Sequence, residues 1–333
     1  MKIQAYAAHG PGMPLEPFQY EPPALEASQV EISISHCGIC HSDLHLLDND
    51  WGITQYPMVP GHEIVGTVTQ AGSAAKGFRE GQRVGVGWEA GSCGECQYCL
   101  RGEENMCLDW RGTCTHGYGG YASAIRVDSR FVIPIPESMD SERAAPLLCG
   151  GITVYSPLAR YAQPAMRAGV VGLGGLGHLA VQYARAFGCE VTAFSTSPEK
   201  EAEARSLGAH HFINTRDAGA VQSAANSFDF VISTVPADLN WGEYVNALRP
   251  KGTLCIVGAP QSDVRLPAFP LILGSKAVCG SAVGSPSQIR QMLEFSARHG
   301  IYPKTERFPM AQVNAALDRL RSNLARYRIV LAN

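Results

Sequence analysis

One glycine-spaced turn constrains this chain more than any other stretch. Ala168-Gly169-Val170-Val171 is a short apolar run, Gly172-Leu173-Gly174-Gly175-Leu176-Gly177 follows it, and a helix-compatible segment extends from Leu176 to Phe187. A second apolar run, Glu190-Val191-Thr192-Ala193-Phe194-Ser195, comes next. Strand, G-x-G-x-x-G turn, helix and strand in this order predict a βαβ unit with parallel strands. The first glycine permits the tight turn, the second lets a ligand approach the backbone, and the third lets helix and strand pack closely. The free amides of such a helix N-terminus favour anions, so the turn is expected to hold the pyrophosphate of a dinucleotide. Gly172, Gly174, Gly175, Leu176 and Gly177 are the candidate contacts.

The end of the second strand bears on which dinucleotide. An acidic residue there receives the ribose 2′-hydroxyl of NAD, whereas a 2′-phosphate needs donors and cations. Here the chain reads Ser195-Thr196-Ser197-Pro198-Glu199-Lys200. Hydroxyls at Ser195 and Thr196 and the ammonium of Lys200 suit a phosphate, and NADP(H) is the expected cofactor. Alternation continues with a strand at Phe228–Val235, a helix around Tyr244–Leu248 and a strand at Thr253–Gly258.

Residues 1–90 have a different texture. Val30 to Ser35 alternates strictly, Ile64 to Thr69 is β-branched and ends at Ala71-Gly72-Ser73, and Gly81 to Val86 is a short strand entered from glycine. Such spacing predicts a compact, barrel-like β domain. Within it, Cys40-His41-Ser42-Asp43-Leu44-His45 and Gly61-His62-Glu63 gather thiol, imidazole and carboxylate groups. Zinc accepts all three, and a catalytic zinc keeps three protein ligands and an open position. Cys40 and His62 are two candidates, and Cys149, closing the apolar run Ala144 to Leu148, is the candidate third. Cys93, Cys96, Cys99 and Cys107 form a separate set whose spacing matches a closed four-cysteine zinc site. The remaining cysteines (Cys37, Cys114, Cys189, Cys255, Cys279) read as small core residues. Beyond about residue 283 the alternation lapses; a helix is expected at Gln288–His299, and a closing strand, Tyr327 to Leu331, is expected to pair back onto the first domain.

Length and composition agree with this division. The 333 residues suit two domains, and 45% hydrophobic with 17% charged residues supports a packed core. A net charge of -3 without like-charge blocks argues against nucleic acid or anionic membrane as a partner. Met1-Lys2-Ile3-Gln4-Ala5-Tyr6 lacks a signal-like apolar run, and no stretch reaches the ~20 apolar residues of a membrane span. A cytoplasmic location is expected.

The motifs together carry a family resemblance. CGICHSDLH at 37–45, YPMVPGHE at 56–63, the Cys93–Cys107 loop, AAPLLCGGITVYSPL at 144–158, GLGGLGH at 172–178 and RYR at 326–328 span essentially the whole chain. It resembles the zinc-dependent medium-chain dehydrogenase/reductases, most closely the cinnamyl alcohol dehydrogenase-like branch of NADP-dependent alcohol dehydrogenases and aldehyde reductases. The resemblance implies an α/β protein with a GroES-like β-barrel catalytic domain, residues 1–151 and 283–333, and a Rossmann doubly wound parallel-sheet cofactor domain, residues 152–282. It implies two zinc ions per subunit: a catalytic one on Cys40, His62 and Cys149, with Glu63 as an occasional ligand, and a structural one on Cys93, Cys96, Cys99 and Cys107. Ser42 and His45 fall at the family's proton-relay positions, Asp43 at that of the carboxylate orienting His62, and Thr153 and Arg328 where the nicotinamide half is contacted.

The implied activity is reversible, NADPH-linked reduction of aromatic, cinnamyl and aliphatic aldehydes to primary alcohols. Two alternatives are an NAD-linked polyol or secondary alcohol dehydrogenase, which Ser195 argues against, and an NADPH-binding redox sensor, which the intact ligand set argues against. The resemblance also implies a homodimer joined edge to edge. The segment from Leu271-Ile272-Leu273 to Ala277-Val278-Cys279 could serve that interface or be an ordinary core strand. One departure is expected to matter: residues 108–118, which include Trp110, form a shorter loop than this branch carries, predicting a more open pocket with broad aldehyde tolerance.

Overall fold

Strand Gln29–Ile39 is the spine of the first of two compact units in the computed structural model, which describes residues 2–260 and 262–333. This unit comprises Met1–Ile152 and Val283–Asn333. The alternation at Val30, Ile32 and Ile34 puts all three in the core. Ile64–Ala71 pairs antiparallel along one side of the spine. On the other side, Ala124–Asp128 pairs with its first half and Arg328–Ala332 with its second. Arg83–Val86, Ile133–Pro134 and Thr305–Pro309 complete a seven-stranded sheet. The closing strand therefore returns to the first unit, with Ile329 opposite Ile39. Helix Pro286–His299 starts two residues before its expected Gln288, because Ser285 caps it by accepting from the Gln288 amide.

The second unit, Thr153–Ala282, is a six-stranded parallel sheet. Its order is His211–Asn214, Glu190–Ser195, Arg167–Val171, Phe228–Ser233, Leu248–Ile256, Ala277–Gly280. That is the doubly wound arrangement, with the first strand in the middle and later strands added outward on both sides. Helix Gly177–Ala186 follows the glycine turn, one residue shorter at each end than expected. Leu248 leaves helix Trp241–Ala247 and opens the next strand, because it is buried in the ladder opposite Phe228.

The segment that could have been an ordinary core strand is not one. Ala277–Gly280 lies at the sheet edge, and the preceding helix Ala268–Gly274 leaves Phe269, Ile272 and Leu273 70%, 71% and 72% exposed. Among the described residues, no helix is long and apolar enough to cross a membrane.

Candidate active site

Cys40 stands where the spine strand ends and helix His41–Asp48 begins, as the helix N-cap. Its amide donates to Asp43 Oδ2 at 2.9 Å, so the third helical residue reaches back over the cap. The other oxygen, Asp43 Oδ1, accepts from the Gly61 amide and from His62 Nδ1, both at 3.0 Å. Tyr121 adds its hydroxyl to Oδ2 at 3.3 Å. One fully buried carboxylate thus ties Cys40 to His62 and assigns the His62 proton to Nδ1. Nε2 of His62 is left buried and without a hydrogen-bond partner.

Cys149 closes the cluster. Its sulfur lies 4.0 Å from that of Cys40, and the ligand atoms of Cys40, His62, Glu63 and Cys149 all fall within 4.8 Å of one another. A hydrogen bond from Cys149 holds the Cys40 thiol well below its usual range, with burial opposing, while the same bond and burial push Cys149 up. Burial by itself would lower His62, but the Asp43 charge, the Cys149 charge and the hydrogen bond to Asp43 together outweigh it and lift the imidazole well above its ordinary value. Glu63 is ion-paired with buried Arg328, leaving Oε2 without a partner, and burial pushes its carboxyl up to about 7. An orphaned imidazole nitrogen, an orphaned carboxylate oxygen and two thiols converging out of water are the donor set of a zinc ion. Arg328, expected at the nicotinamide, lies on Glu63 in this structure.

The helix carrying Cys40 also presents Ser42 and His45, one turn apart on the same side. The Ser42 hydroxyl accepts from the Cys40 thiol at 3.7 Å. His45 Nδ1 lies 2.7 Å from Asp50 Oδ2, and its ring stacks on Trp51 at 5.3 Å. Asp50 comes within reach because Asn49 ends the helix in the left-handed conformation (φ 57°), which folds the chain back. Neither Asp50 nor Trp51 stands out in the sequence, since that reversal is not a local composition signal.

Aromatic side chains wall the same region. Trp88 meets His62 edge-on at 4.8 Å, and Trp110 stacks on Trp88 at 6.1 Å. The 108–118 loop therefore delivers Trp110 to this wall. It also buries Cys114, which belongs to the core as expected and lies beside His62 and Asp43.

The four-cysteine lobe is built by helix Gln97–Leu100 and the turn Glu104–Met106. Sulfur separations are 3.8 Å (Cys93–Cys99), 3.6 Å (Cys96–Cys99) and 3.5 Å (Cys107–Cys93). A tetrahedron with bonds of about 2.3 Å has edges of about 3.8 Å, so these sulfurs fit one zinc ion.

In the second unit the glycine turn has the expected shape. Gly172 has φ +91°, and a Cβ on Gly177 would meet the Gly172 carbonyl oxygen at 1.9 Å, whereas one on Gly174 would meet nothing within 4 Å. Open space over Gly174 is what an approaching pyrophosphate requires. Gly175 and Leu176 complete the turn, Leu176 as the cap of helix Gly177–Ala186. Ser195, buried at its strand end, accepts from the Ser197 amide at 3.1 Å; Thr196 is exposed. Lys200 Nζ donates to the Leu173 carbonyl at 2.8 Å, which draws its cation to the glycine turn. Thr153 is buried in helix Gly150–Tyr161.

Comparison with known proteins accords with this architecture. Residues 26–137 match the alcohol dehydrogenase GroES-like domain and residues 175–298 the zinc-binding dehydrogenase domain. An aldehyde reductase from Synechocystis is 45% identical over 99% of both chains. A cinnamyl alcohol dehydrogenase structure from Sorghum bicolor superposes with TM-score 0.95 at 41% identity, covering 100% of this chain and 98% of the other. One from Helicobacter pylori, complexed with NADP(H), has TM-score 0.90 at 33% identity and the same coverage. The chain belongs to the zinc-dependent medium-chain dehydrogenase/reductases, among the alcohol dehydrogenases and aldehyde reductases of the cinnamyl alcohol dehydrogenase-like branch.

Proposed function

We propose that this protein is an NADPH-linked aldehyde reductase that converts aromatic, cinnamyl and aliphatic aldehydes reversibly to primary alcohols. The observation that carries the reading is the buried convergence of Cys40, His62 and Cys149 beside the Ser42–His45 pair. In it, Cys40, His62 and Cys149 hold a catalytic zinc with Glu63 and Arg328 behind them, and Cys93, Cys96, Cys99 and Cys107 hold a structural one. When bound, the metal supplies Lewis-acid polarisation of the carbonyl and NADPH supplies the hydride.

The chain's own residues do the rest. Asp43 keeps the His62 tautomer and ring orientation. Ser42 accepts and passes a proton, and His45, resting on Asp50, exchanges it with solvent without opening the site. Trp88 and Trp110 exclude water from the reacting carbonyl, and a flat aromatic wall tolerates aldehydes of varied shape. Residues 152–282 bind the cofactor, with Gly172 to Gly177 at the pyrophosphate, Ser195, Thr196 and Lys200 at the 2′-phosphate, and Thr153 toward the nicotinamide. The absence of a carboxylate at Ser195 and the NADP(H) complex of the Helicobacter pylori relative support this preference. The exposed edge at Ala277–Gly280 supports a homodimer, and we infer that the enzyme works in the cytoplasm.

The test is the initial rate of the zinc-loaded protein with NADPH and with NADH, each against cinnamaldehyde, benzaldehyde and a short aliphatic aldehyde. Strong NADPH preference with similar rates across the panel is expected. Absence of aldehyde-dependent NADPH oxidation would end the reading. An NADH preference would overturn the role of Ser195, Thr196 and Lys200, and marked selectivity for cinnamaldehyde would overturn the tolerant wall.

A further inference from the structure

Two cysteines outside both sulfur clusters face each other across the edge of the parallel sheet. Cys255 in Leu248–Ile256 and Cys279 in Ala277–Gly280 are direct register partners. Adjacent strands run about 4.7–4.9 Å apart, inside the roughly 4.4–6.8 Å span of Cα atoms in bridged cysteines. Register partners also project to the same sheet face, which makes the two side chains direct neighbours. Tyr161 lies close enough to Cys279 for the thiol to raise its phenol, its ring stacks on Phe230 at 5.7 Å, and the Arg160 guanidinium lies over the ring at 5.2 Å. Cys255 is fully buried, while Cys279 is half-buried on the edge strand.

We propose that Cys255 and Cys279 are a peroxide-sensitive dithiol that closes to a cross-strand disulfide. A hydroperoxide oxidises the accessible Cys279 first: its sulfur takes the terminal oxygen, the O–O bond breaks, and the alcohol or water leaves, giving a sulfenic acid. The Cys255 sulfur attacks that sulfur, the S–S bond forms, the S–O bond breaks, and the hydroxyl departs as water with the Cys255 proton. The two electrons lost by the thiols have gone to the peroxide. Burial, with Cys279 adding to it, holds the Cys255 thiol up, so Cys255 waits as the resolving partner rather than the first site of attack. Strand side chains stand above and below the sheet, so backbone pairing at this edge leaves the pair intact. The bridge fastens the edge strand to its neighbour, and a thiol reductant releases it.

The test treats the zinc-loaded, full-length protein with increasing hydrogen peroxide, alkylates the remaining thiols and maps tryptic peptides by mass spectrometry. The Cys255 and Cys279 peptides are expected joined, about 2 Da lighter than the two thiol peptides together, and separated again by dithiothreitol. In Cys279→Ser the linked peptide vanishes, and in Cys255→Ser a sulfenic acid at Cys279 is trapped by dimedone, while both variants keep wild-type aldehyde reduction. Should Cys255→Ser fail to fold, the wild-type map and Cys279→Ser decide alone. Sulfinic acid at Cys279 with Cys255 fully alkylated, or a Cys279 link between two chains, overturns the proposal.

Discussion

Both oxygens of Asp43 are occupied, one by the Cys40 amide and the Tyr121 hydroxyl, the other by the Gly61 amide and His62 Nδ1. An asparagine there offers a single carbonyl and sets its amide against donors. Asp43→Asn is expected to lower zinc affinity at the catalytic site by about 10–100-fold while the fold persists, as read by chelator competition with circular dichroism as control. Unchanged affinity would remove Asp43 from this role. A second buried carboxylate behaves differently. Glu89 is 7% exposed, and burial, with Glu104 adding to it, pushes its carboxyl up to about 8. The folded state holds this proton where the unfolded chain has released it, so stability falls as pH rises from about 4.5 to about 8 and levels off above. Glu89→Gln is expected to flatten that decline, gaining on the order of 2 kcal/mol over wild type at pH 8.5, as urea unfolding at pH 6 and pH 8.5 would show. Parallel curves for the two proteins would refute it. Of these residues, Asp43 is legible from its place in the Cys40–His45 motif. Glu89 is not, because burial of a lone acid depends on what packs over it.

At the scale of elements, the glycine turn separates packing from ligand approach. Gly177→Ala drives a methyl into the Gly172 carbonyl, and the turn must open. A loss of about 2–3 kcal/mol is expected by chemical denaturation, together with loss of NADPH binding. Gly174→Ala meets no protein atom. It is expected to leave stability within about 0.5 kcal/mol while weakening NADPH affinity at least tenfold by fluorescence titration. Equal destabilisation by both substitutions would show that the turn is shaped by packing alone. This element was readable because a βαβ unit is local: strand, turn and helix lie within one short window and each glycine has its own steric reason. Boundaries were less readable. Leu248 reads as the last residue of a helix, yet its place opposite Phe228 in the ladder makes it the first residue of a strand.

At the scale of the whole molecule, the edge of the parallel sheet is the surface that a second copy would cover. Phe269, Ile272 and Leu273 stand in solvent on the short helix that precedes the edge strand Ala277–Gly280. In the proposed homodimer these groups are buried. Ile272→Asp combined with Leu273→Asp is expected to shift the protein from dimer to monomer in sedimentation velocity, since burying unpaired carboxylates in an apolar contact costs several kcal/mol. A dimer that survives both charges would place the interface elsewhere.

By itself the sequence determined the kinds of chemistry available: soft and nitrogen ligands near Cys40 and His62, a four-cysteine loop, a phosphate-ready glycine turn, and a strand end without a carboxylate. These are properties of residue type and short spacing, and they survive without knowledge of the fold. Tertiary structure alone decided which groups meet. Cys149 reaches Cys40 from 109 residues away, and Arg328 reaches Glu63 from 265 residues away. Asp50 reaches His45 through the reversal at Asn49, and Trp110 reaches Trp88 from the 108–118 loop. The reason is that sheet register and core packing set long-range distances, and neither is written in the spacing of residues along the chain.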